Sequence, residues 1–263
     1  MNSIDILNHL TERWEKSGLK KGDTFLLHSN MKRLLLEYKK KNLKIDLNLI
    51  IKSFLNVIGD EGTIIFPFFN FDFVNKNSFC INTSPSRMGA LSEYFRKNFS
   101  VLRTGHPVYS FGVLGKKKNL FENVDNFSAY SEDSPFGILK NINGKIAILD
   151  LDDQSSMTFY HHIEESNNVD WRYFKKFKGT YINKKNKVEN KEYAIFVRKI
   201  KKNIITFVNP AGELLWKEGL YVGSRPFLNT GLRVIECKQM FDFITNIIQS
   251  GKAENILYKI NKS

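Results

Sequence analysis

The sequence has few cysteines, no long hydrophobic run and fewer acidic than basic residues. Only Cys80 and Cys237 occur among 263 residues, and because they lie far apart in the chain we expect no disulfide framework. No apolar stretch approaches the length of a membrane-spanning helix, and residues 1–5 lack the basic and apolar regions of a signal peptide. These features predict a cytoplasmic protein without membrane association.

The shortage of acidic residues gives the chain a formal net charge of +13, from 40 basic and 27 acidic side chains. Such a field favours anionic small ligands, for example a nucleotide cofactor or a nucleotide-linked substrate. The lysines are scattered through Lys-Asn-rich segments such as 39–42 and 183–187, and no nucleic-acid-binding motif accompanies them. Nucleic acid is therefore not the expected partner.

The order of hydrophobic segments predicts an α/β fold. Buried-strand patterns at 24–29 and 63–68 flank a helical pattern at 47–58, which favours a right-handed parallel unit. Polar, alternating segments in the last third predict antiparallel strands at 181–188, 192–197 and 204–208. With no internal repeat or linker, residues 1–263 are expected to form one domain, either monomeric or homodimeric. Its central mixed, largely parallel sheet is expected to carry flanking helices and a more antiparallel C-terminal third.

The segment 145–165 gives the clearest indication of a functional site. It reads as a buried strand, a tight loop and the start of a helix, and such loops line the ligand crevice of α/β sheets. His161 lies in the first turns of that helix, and Glu164 and Glu165 follow it at helical spacing. A carboxylate can therefore orient or charge the imidazole. The same pattern is also typical of a solvated helix face or a buried structural histidine.

This segment is a poor metal site. His162 lies about 100° round the helix from His161, and His-x-x-Glu supplies two ligands rather than the His-Glu-x-x-His array of zinc enzymes. We therefore expect no metal.

Six short motifs occur in order between about residues 20 and 170. They are Leu27-His28-Ser29, Gly62-Thr63 through Pro67, the run from Pro85 to Leu91, Arg103 with His106-Pro107 and Ser110, Ser134-Pro135-Phe136-Gly137, and Thr158-x-x-His161-x-x-Glu164. Together they resemble the aminoglycoside N3-acetyltransferase family, which has the antibiotic N-acetyltransferase fold. The C-terminal third resembles the family only loosely.

This resemblance implies a cytosolic enzyme that transfers an acyl group, expected to be acetyl, from acyl-coenzyme A to an amine of a sugar-like acceptor. It implies that His161 is the general base, that Glu164 is its partner, and that His106 lies at the same cleft. The coenzyme A arm is expected to contact five residues, namely Ser29, Ser86, Arg87, Met88 and Ser110.

Three carboxylates are candidates for binding the acceptor amine, namely Asp152, Asp153 and Glu165. Structural alternatives remain open for several residues. Asp152 and Asp153 equally fit a helix cap, and His106 equally fits a turn. Arg87 is expected to pair either with a coenzyme phosphate or with Glu93. Ser29 also fits a strand-end cap, and His28 is expected to be structural.

The residue types suit acyl transfer. An ammonium group cannot attack a thioester, so a neutral imidazole must take a proton as the nitrogen adds, and a carboxylate stabilises the resulting imidazolium. Because the thioester is already activated, neither a metal nor a covalent enzyme intermediate is required.

The excess of basic over acidic residues indicates which charge the acceptor should carry. A basic protein repels polycationic aminoglycosides, so the sequence favours a nucleotide-linked amino sugar used in surface polysaccharide biosynthesis. Acetylation of aminoglycoside antibiotics is the alternative. A non-catalytic protein that binds coenzyme A or nucleic acid is a second alternative, and the presence of both His161 and Glu164 counts against it.

Overall fold

A computed structural model describes residues 2–261. Its helices are α1 Ser3–Lys16, α2 Lys32–Lys40, α3 Leu47–Ile58, α4 Asp72–Lys76, α5 Ala90–Asn98, α6 Pro135–Asn141, α7 Asp153–Ser156, α8 Phe159–Ser166, α9 Asn209–Lys217 and α10 Cys237–Gln249. Its strands are β1 Thr24–Ser29, β2 Thr63–Pro67, β3 Ser78–Cys80, β4 Leu102–Arg103, β5 Phe111–Gly115, β6 Lys145–Leu149, β7 Arg172–Ile182, β8 Val188–Arg198, β9 Ile204–Thr206, β10 Val222–Gly223, β11 Leu232–Glu236 and β12 Tyr258–Ile260.

Seven strands form the central sheet in the order β10-β11-β6-β1-β2-β5-β4. The inner strands β6, β1 and β2 run parallel, while β11, β10, β5 and β4 are added antiparallel. The predicted mixed α/β sheet with flanking helices is confirmed, but the parallel part is limited to these three strands. The hydrophobic pattern could not reveal this, because a buried edge strand is equally apolar in either direction.

The two faces of the sheet bury separate cores. Along β1, Phe25 and Leu27 pack on one face with α1, α3 and α5. Leu26 packs on the opposite face with α6, α8 and α10. This alternation follows from the two-residue period of a strand. It places α8, which carries His161, on the same face of the sheet as Leu26.

The C-terminal third is antiparallel, as predicted, but its strand limits differ. β7 and β8 form a long hairpin that pairs Arg172 with Arg198 at one end and Ile182 with Val188 at the other. The strand predicted over 181–188 is wrong, because residues 183–187 form the connecting turn. Asn186 adopts a left-handed φ of 59° there, a conformation that asparagine tolerates better than most residues.

No helix within residues 2–261 combines the length and the hydropathy needed to cross a bilayer.

Candidate functional site

The loop after β6 determines the position of His161. Asp150 ends the strand with a left-handed φ of 51°, and Asp152 then caps α7 by accepting a hydrogen bond from the Ser155 amide at 2.8 Å. After this short helix the chain turns into α8, whose first turns carry His161. The imidazole consequently lies beyond the carboxyl end of a central parallel strand, where α/β proteins place their ligand sites.

His161 is held between a carboxylate and a guanidinium. Its Nδ1 atom lies 2.9 Å from Glu164 Oε2 and 2.8 Å from Arg172 Nη2. The Tyr130 ring lies beside it, with 5.3 Å between ring centroids, and the histidine side chain remains 21% exposed. At Nδ1, Glu164 can only accept and Arg172 can only donate, so the two contacts favour opposite tautomers. In the tautomer in which Nδ1–H donates to Glu164, Nε2 carries the free electron pair. Nε2 makes no hydrogen bond to any residue from 2 to 261, so the site contains an imidazole nitrogen that can accept a proton.

The partner carboxylate is buried and charged. Glu164 is 1% exposed, accepts a hydrogen bond from Trp171 Nε1 at 2.9 Å and lies 2.7 Å from Arg172 Nε. Burial alone would raise the pKa of Glu164, but the charge of Arg172 and the hydrogen bonds from His161 and Trp171 outweigh it and lower the pKa. Burial and the charge of Arg172 lower the pKa of His161 below 6.5, although Glu164 opposes them. The pair is therefore a neutral imidazole beside an ionised carboxylate.

Arg172 and Trp171 were missed at the level of sequence. Both lie at the start of the β7–β8 hairpin, in a segment that shows only alternating polarity. Their approach to Glu164 depends on how the hairpin packs against α8, and no local spacing rule predicts that contact.

A cleft of about 510 Å³ opens at the same edge of the sheet. The structure brings three of the expected coenzyme residues into its wall, namely Ser29, Arg87 and Met88. Gly89, with a φ of 95°, turns the chain into α5 there, so the N-terminal end of this helix also borders the cleft. Unpaired amide groups at a helix N-terminus favour anionic ligand groups.

Two serines expected at the coenzyme are used inside the protein instead. The Ser86 hydroxyl donates to the Pro67 carbonyl at 3.1 Å and accepts from the Met88 amide at 3.2 Å. The buried Ser110 hydroxyl donates to the Phe68 carbonyl at 3.2 Å and accepts from Arg103 Nε at 3.1 Å. These hydroxyls stabilise the loops behind the cleft wall, and the coenzyme contacts expected for both serines stay predictions.

Arg87 remains available to a ligand. Its side chain is 57% exposed and lies 3.4 Å from Asp72. The alternative partner named from the sequence, Glu93, is engaged by Arg96 at 2.8 Å. The predicted Arg87–Glu93 pair is absent from the described structure.

His106 has a structural environment. It is fully buried, its Nδ1 accepts hydrogen bonds from the Val108 and Tyr109 amides at 3.2 and 3.0 Å, and its Nε2 lies 3.3 Å from the Ala194 carbonyl. Both ring nitrogens are thus satisfied by backbone groups. These contacts favour the structural alternative, in which His106 holds a turn, and its catalytic role stays an untested prediction.

The carboxylates expected at the acceptor have different environments. Asp152 caps α7 and accepts from Asn209 Nδ2 at 2.9 Å. Asp153 is buried and accepts from Tyr160 and Tyr221 at 2.8 and 2.7 Å and from Arg233 at 2.7 Å. These bonds engage both oxygens of Asp153 in the protein interior, whereas Asp152 is exposed. The acceptor contacts expected for the two aspartates stay predictions, and the observed bonds favour structural roles.

Glu165 differs from both aspartates. It is partly exposed on α8, one turn after His161, and accepts a hydrogen bond from Ser128 Oγ at 2.7 Å. Burial raises the pKa of Glu165 to about 7, and the nearby charges of Asp133 and Glu132 add to this effect. An acidic region therefore borders the helix that carries His161, although the chain as a whole is basic.

Acidification is expected to destabilise the protein through its buried histidines. Burial lowers the pKa values of His28, His106 and His162 to about 4, whereas in the unfolded chain they are near 6.5. The unfolded state therefore binds more protons as the pH falls from 6.5 towards 4, which removes about 2 kcal/mol per histidine at pH 5. Glu165, with its raised pKa, partly offsets this loss.

Urea unfolding at about pH 7.5 and pH 5 measures the effect. The free energy of unfolding should fall on acidification and should fall less in His162→Gln. Equal stability at the two pH values would contradict the buried neutral state of these rings.

Among residues 2–261, no group of three or more His, Cys, Asp or Glu side chains is placed to hold a metal ion.

The fold and the site together define a class of α/β proteins in which a carboxylate-paired histidine and an anion-favouring cleft both lie at the carboxyl edge of a mixed sheet. Residues 26–249 match the family model for aminoglycoside 3-N-acetyltransferases. The chain belongs to this family, as its six sequence motifs predicted.

One curated relative is the SPbeta prophage-derived aminoglycoside N(3')-acetyltransferase-like protein YokD of Bacillus subtilis (strain 168). It is 28% identical over 174 residues, which cover 57% of this chain and 62% of YokD, so the match spans less than two thirds of that protein. The crystal structure of YokD superposes with a TM-score of 0.74 at 22% identity and covers 95% of both chains.

Two further solved structures share the fold. The aminoglycoside acetyltransferase AAC(3)-Xa matches with a TM-score of 0.77 at 16% identity, over 93% of this chain and 92% of that one. The binary complex of AAC-IIIb with CoASH matches with a TM-score of 0.75 at 17% identity, over 93% and 96%. The family match favours aminoglycoside N3-acetylation, the alternative stated above, over the nucleotide-linked amino sugar.

Proposed function

We propose that this chain is a cytoplasmic N-acetyltransferase that uses acetyl-coenzyme A to acetylate an amine of a small aminoglycoside-type acceptor. The observation that carries the proposal is the neutral His161 imidazole, which is held by the buried Glu164 carboxylate and whose Nε2 atom makes no hydrogen bond to residues 2–261. Membership of the aminoglycoside 3-N-acetyltransferase family supports the reaction class.

The proposed chemistry needs one base and one stabilising carboxylate. As the acceptor nitrogen bonds to the thioester carbonyl carbon, Nε2 of His161 takes one N–H proton, and Glu164 stabilises the imidazolium through Nδ1–H. When the C–S bond breaks, the departing coenzyme A thiolate takes that proton from His161. The products are the N-acetylated acceptor, the free thiol and a neutral imidazole ready for the next cycle.

The cleft beside the site suits the co-substrate. Ser29 and Met88 offer a hydroxyl and an apolar surface at the ends of the parallel strands, and the exposed Arg87 guanidinium suits a phosphate. The N-terminal end of α5 adds amide groups that favour the same charge. A relative of the same fold was solved as a binary complex with CoASH, which supports this placement of the coenzyme.

Local rather than net charge supports a cationic acceptor. Burial, with the nearby charges of Asp133 and Glu132 adding to it, raises the pKa of Glu165 to about 7. A bound ammonium group would favour the ionised form of Glu165, whereas the phosphates of a nucleotide sugar would meet further repulsion. We therefore assign the acceptor amine contact to Glu165.

The decisive assay incubates purified protein with acetyl-coenzyme A and either a kanamycin-type aminoglycoside or a UDP- or dTDP-linked amino sugar, and follows the release of free thiol. We expect turnover with the aminoglycoside. A preference for the nucleotide sugar would overturn the acceptor assignment. Binding of acetyl-coenzyme A with no release of its thiol in the presence of either acceptor would identify a non-catalytic binding protein.

The Glu165→Gln variant should bind the acceptor more weakly. Loss of one charge-assisted hydrogen bond, about 1.5–3 kcal/mol, corresponds to a KM for the aminoglycoside at least about tenfold higher. The KM for acetyl-coenzyme A should be unchanged. The control is Glu15→Gln, which removes an equal charge from an exposed position on α1. If both variants raise the acceptor KM alike, a general charge effect rather than a Glu165 contact is responsible.

A further inference from the structure

His28 has an unsatisfied ring that the proposed mechanism does not use. It lies in β1 next to Ser29 and lines the cleft, and it is 6% exposed. Its Nε2 atom is buried and has no hydrogen-bond partner in the described part of the chain. Burial, with the charge of Arg233 adding to it, lowers the pKa of His28 to about 4. The ring is therefore uncharged at neutral pH.

The register of the sheet places this ring on the side of the reaction site. His28 pairs with Ile148 on β6, and Ile148 pairs with Arg233 on β11, so these three side chains form a row on one face. Ile148 belongs to the core that also contains α8. His28 therefore points to the face that carries His161, whereas the adjacent Ser29 points to the opposite face.

The fold itself gives no reason for a polar ring at this position. A buried donor or acceptor without a partner destabilises the folded state, and an apolar side chain of similar size would avoid that cost. The nearest aromatic neighbour is Phe69, with 6.4 Å between ring centroids, which an apolar residue could equally contact. By contrast, both ring nitrogens of His106 contact backbone groups. His162 Nε2 is also unpartnered among the described residues, but its Nδ1 is held by the Tyr130 carbonyl at 2.7 Å and the ring does not line the cleft.

We infer that His28 hydrogen-bonds an amide of the pantetheine arm of acyl-coenzyme A in the cleft, an inference that rests on the proposed function. A neutral imidazole offers one N–H donor and one acceptor nitrogen, and each pantetheine amide offers the complementary C=O and N–H. Neither a phosphate nor an ammonium group would be selected by an uncharged ring. Arg87, at the exposed part of the same wall, suits the phosphates instead.

His28→Leu tests this contact without depending on turnover. Isothermal titration with coenzyme A should give a Kd about tenfold higher than for the unmutated protein, equivalent to about 1.4 kcal/mol. The Kd for 3′,5′-ADP, which lacks the pantetheine arm, should change less than about twofold. The Tm should stay equal or rise, because the buried unpaired nitrogen is removed. His28→Asn, which keeps hydrogen-bonding groups, should recover part of the affinity, and His9→Leu on α1 is the control.

Three other results would overturn either the inferred contact or the proposed function. If His28→Leu binds coenzyme A as tightly as the unmutated protein does, the inferred contact is wrong and a buried water satisfies the ring. If its Tm falls and both ligands bind more weakly, His28 is structural and the inference is likewise overturned. If the unmutated protein binds no coenzyme A, the proposed function itself fails.

Discussion

Replacing His161 with alanine is expected to lower kcat for acetyl transfer at least about a hundredfold. Proton transfer by a positioned general base contributes roughly 10²–10⁴-fold to the rate, and among residues 2–261 no other neutral base contacts Glu164 to replace it. Glu164 keeps its contacts with Arg172 and Trp171 in the variant, so the Tm should change little. Thiol release at saturating substrates, together with a thermal melt, measures both quantities.

The matched control is His9→Ala, which removes a histidine from α1 on the other face of the sheet. It should retain the activity of the unmutated protein. A His161→Ala protein that is folded and fully active would exclude His161 as the base. A variant whose kcat recovers steeply with rising pH would instead indicate that the acceptor amine needs only deprotonation by solvent.

The second large effect is expected on stability, from Asp153→Ala. This carboxylate accepts from Arg233, which is 1% exposed, and from the buried hydroxyls of Tyr160 and Tyr221. Its removal leaves a buried guanidinium without a counter-charge, which typically costs 3–5 kcal/mol. We expect the free energy of unfolding in urea to fall by about that amount.

Asp152→Ala is the matched control for this prediction. Asp152 precedes Asp153 in the chain but caps a helix at the surface, and loss of a cap costs about 1 kcal/mol. The two neighbouring aspartates should therefore differ several-fold in their effect on stability. If Asp153→Ala were as stable as Asp152→Ala and raised the acceptor KM, the acceptor role first expected for Asp153 would be restored.

Local sequence predicted the elements whose signals are local. The strand Thr24–Ser29 and the helix Leu47–Ile58 lie where the hydrophobic pattern predicted them. A short continuous apolar run favours a buried strand, and a 3.6-residue period favours an α-helix. The His161–Glu164 contact was also predictable, because residues three apart on a helix are neighbours whatever surrounds them.

Distant contacts decided the other assignments. Asp153, Ser110 and His106 have the residue types of a binding or catalytic site, yet their partners come from Arg233, Arg103 and Ala194. Those partners are remote in sequence, apart from Arg103. The periodicity of hydrophobic residues does not predict whether a buried polar group will find a hydrogen-bond partner. For the same reason the sequence predicted a structural His28, whereas in the described part of the chain its Nε2 atom lines the cleft region without a hydrogen-bond partner.

The sequence by itself thus determined the α/β class, the family and the helical histidine–glutamate pair, because each depends on residue type and short-range spacing. The tertiary structure decided that Arg172 and Trp171 hold Glu164 ionised, and that Asp153 is buried against Arg233 whereas Glu165 stays partly exposed. These properties depend on burial and on neighbouring charge, and packing of the β7–β8 hairpin, the central sheet and α8 creates both.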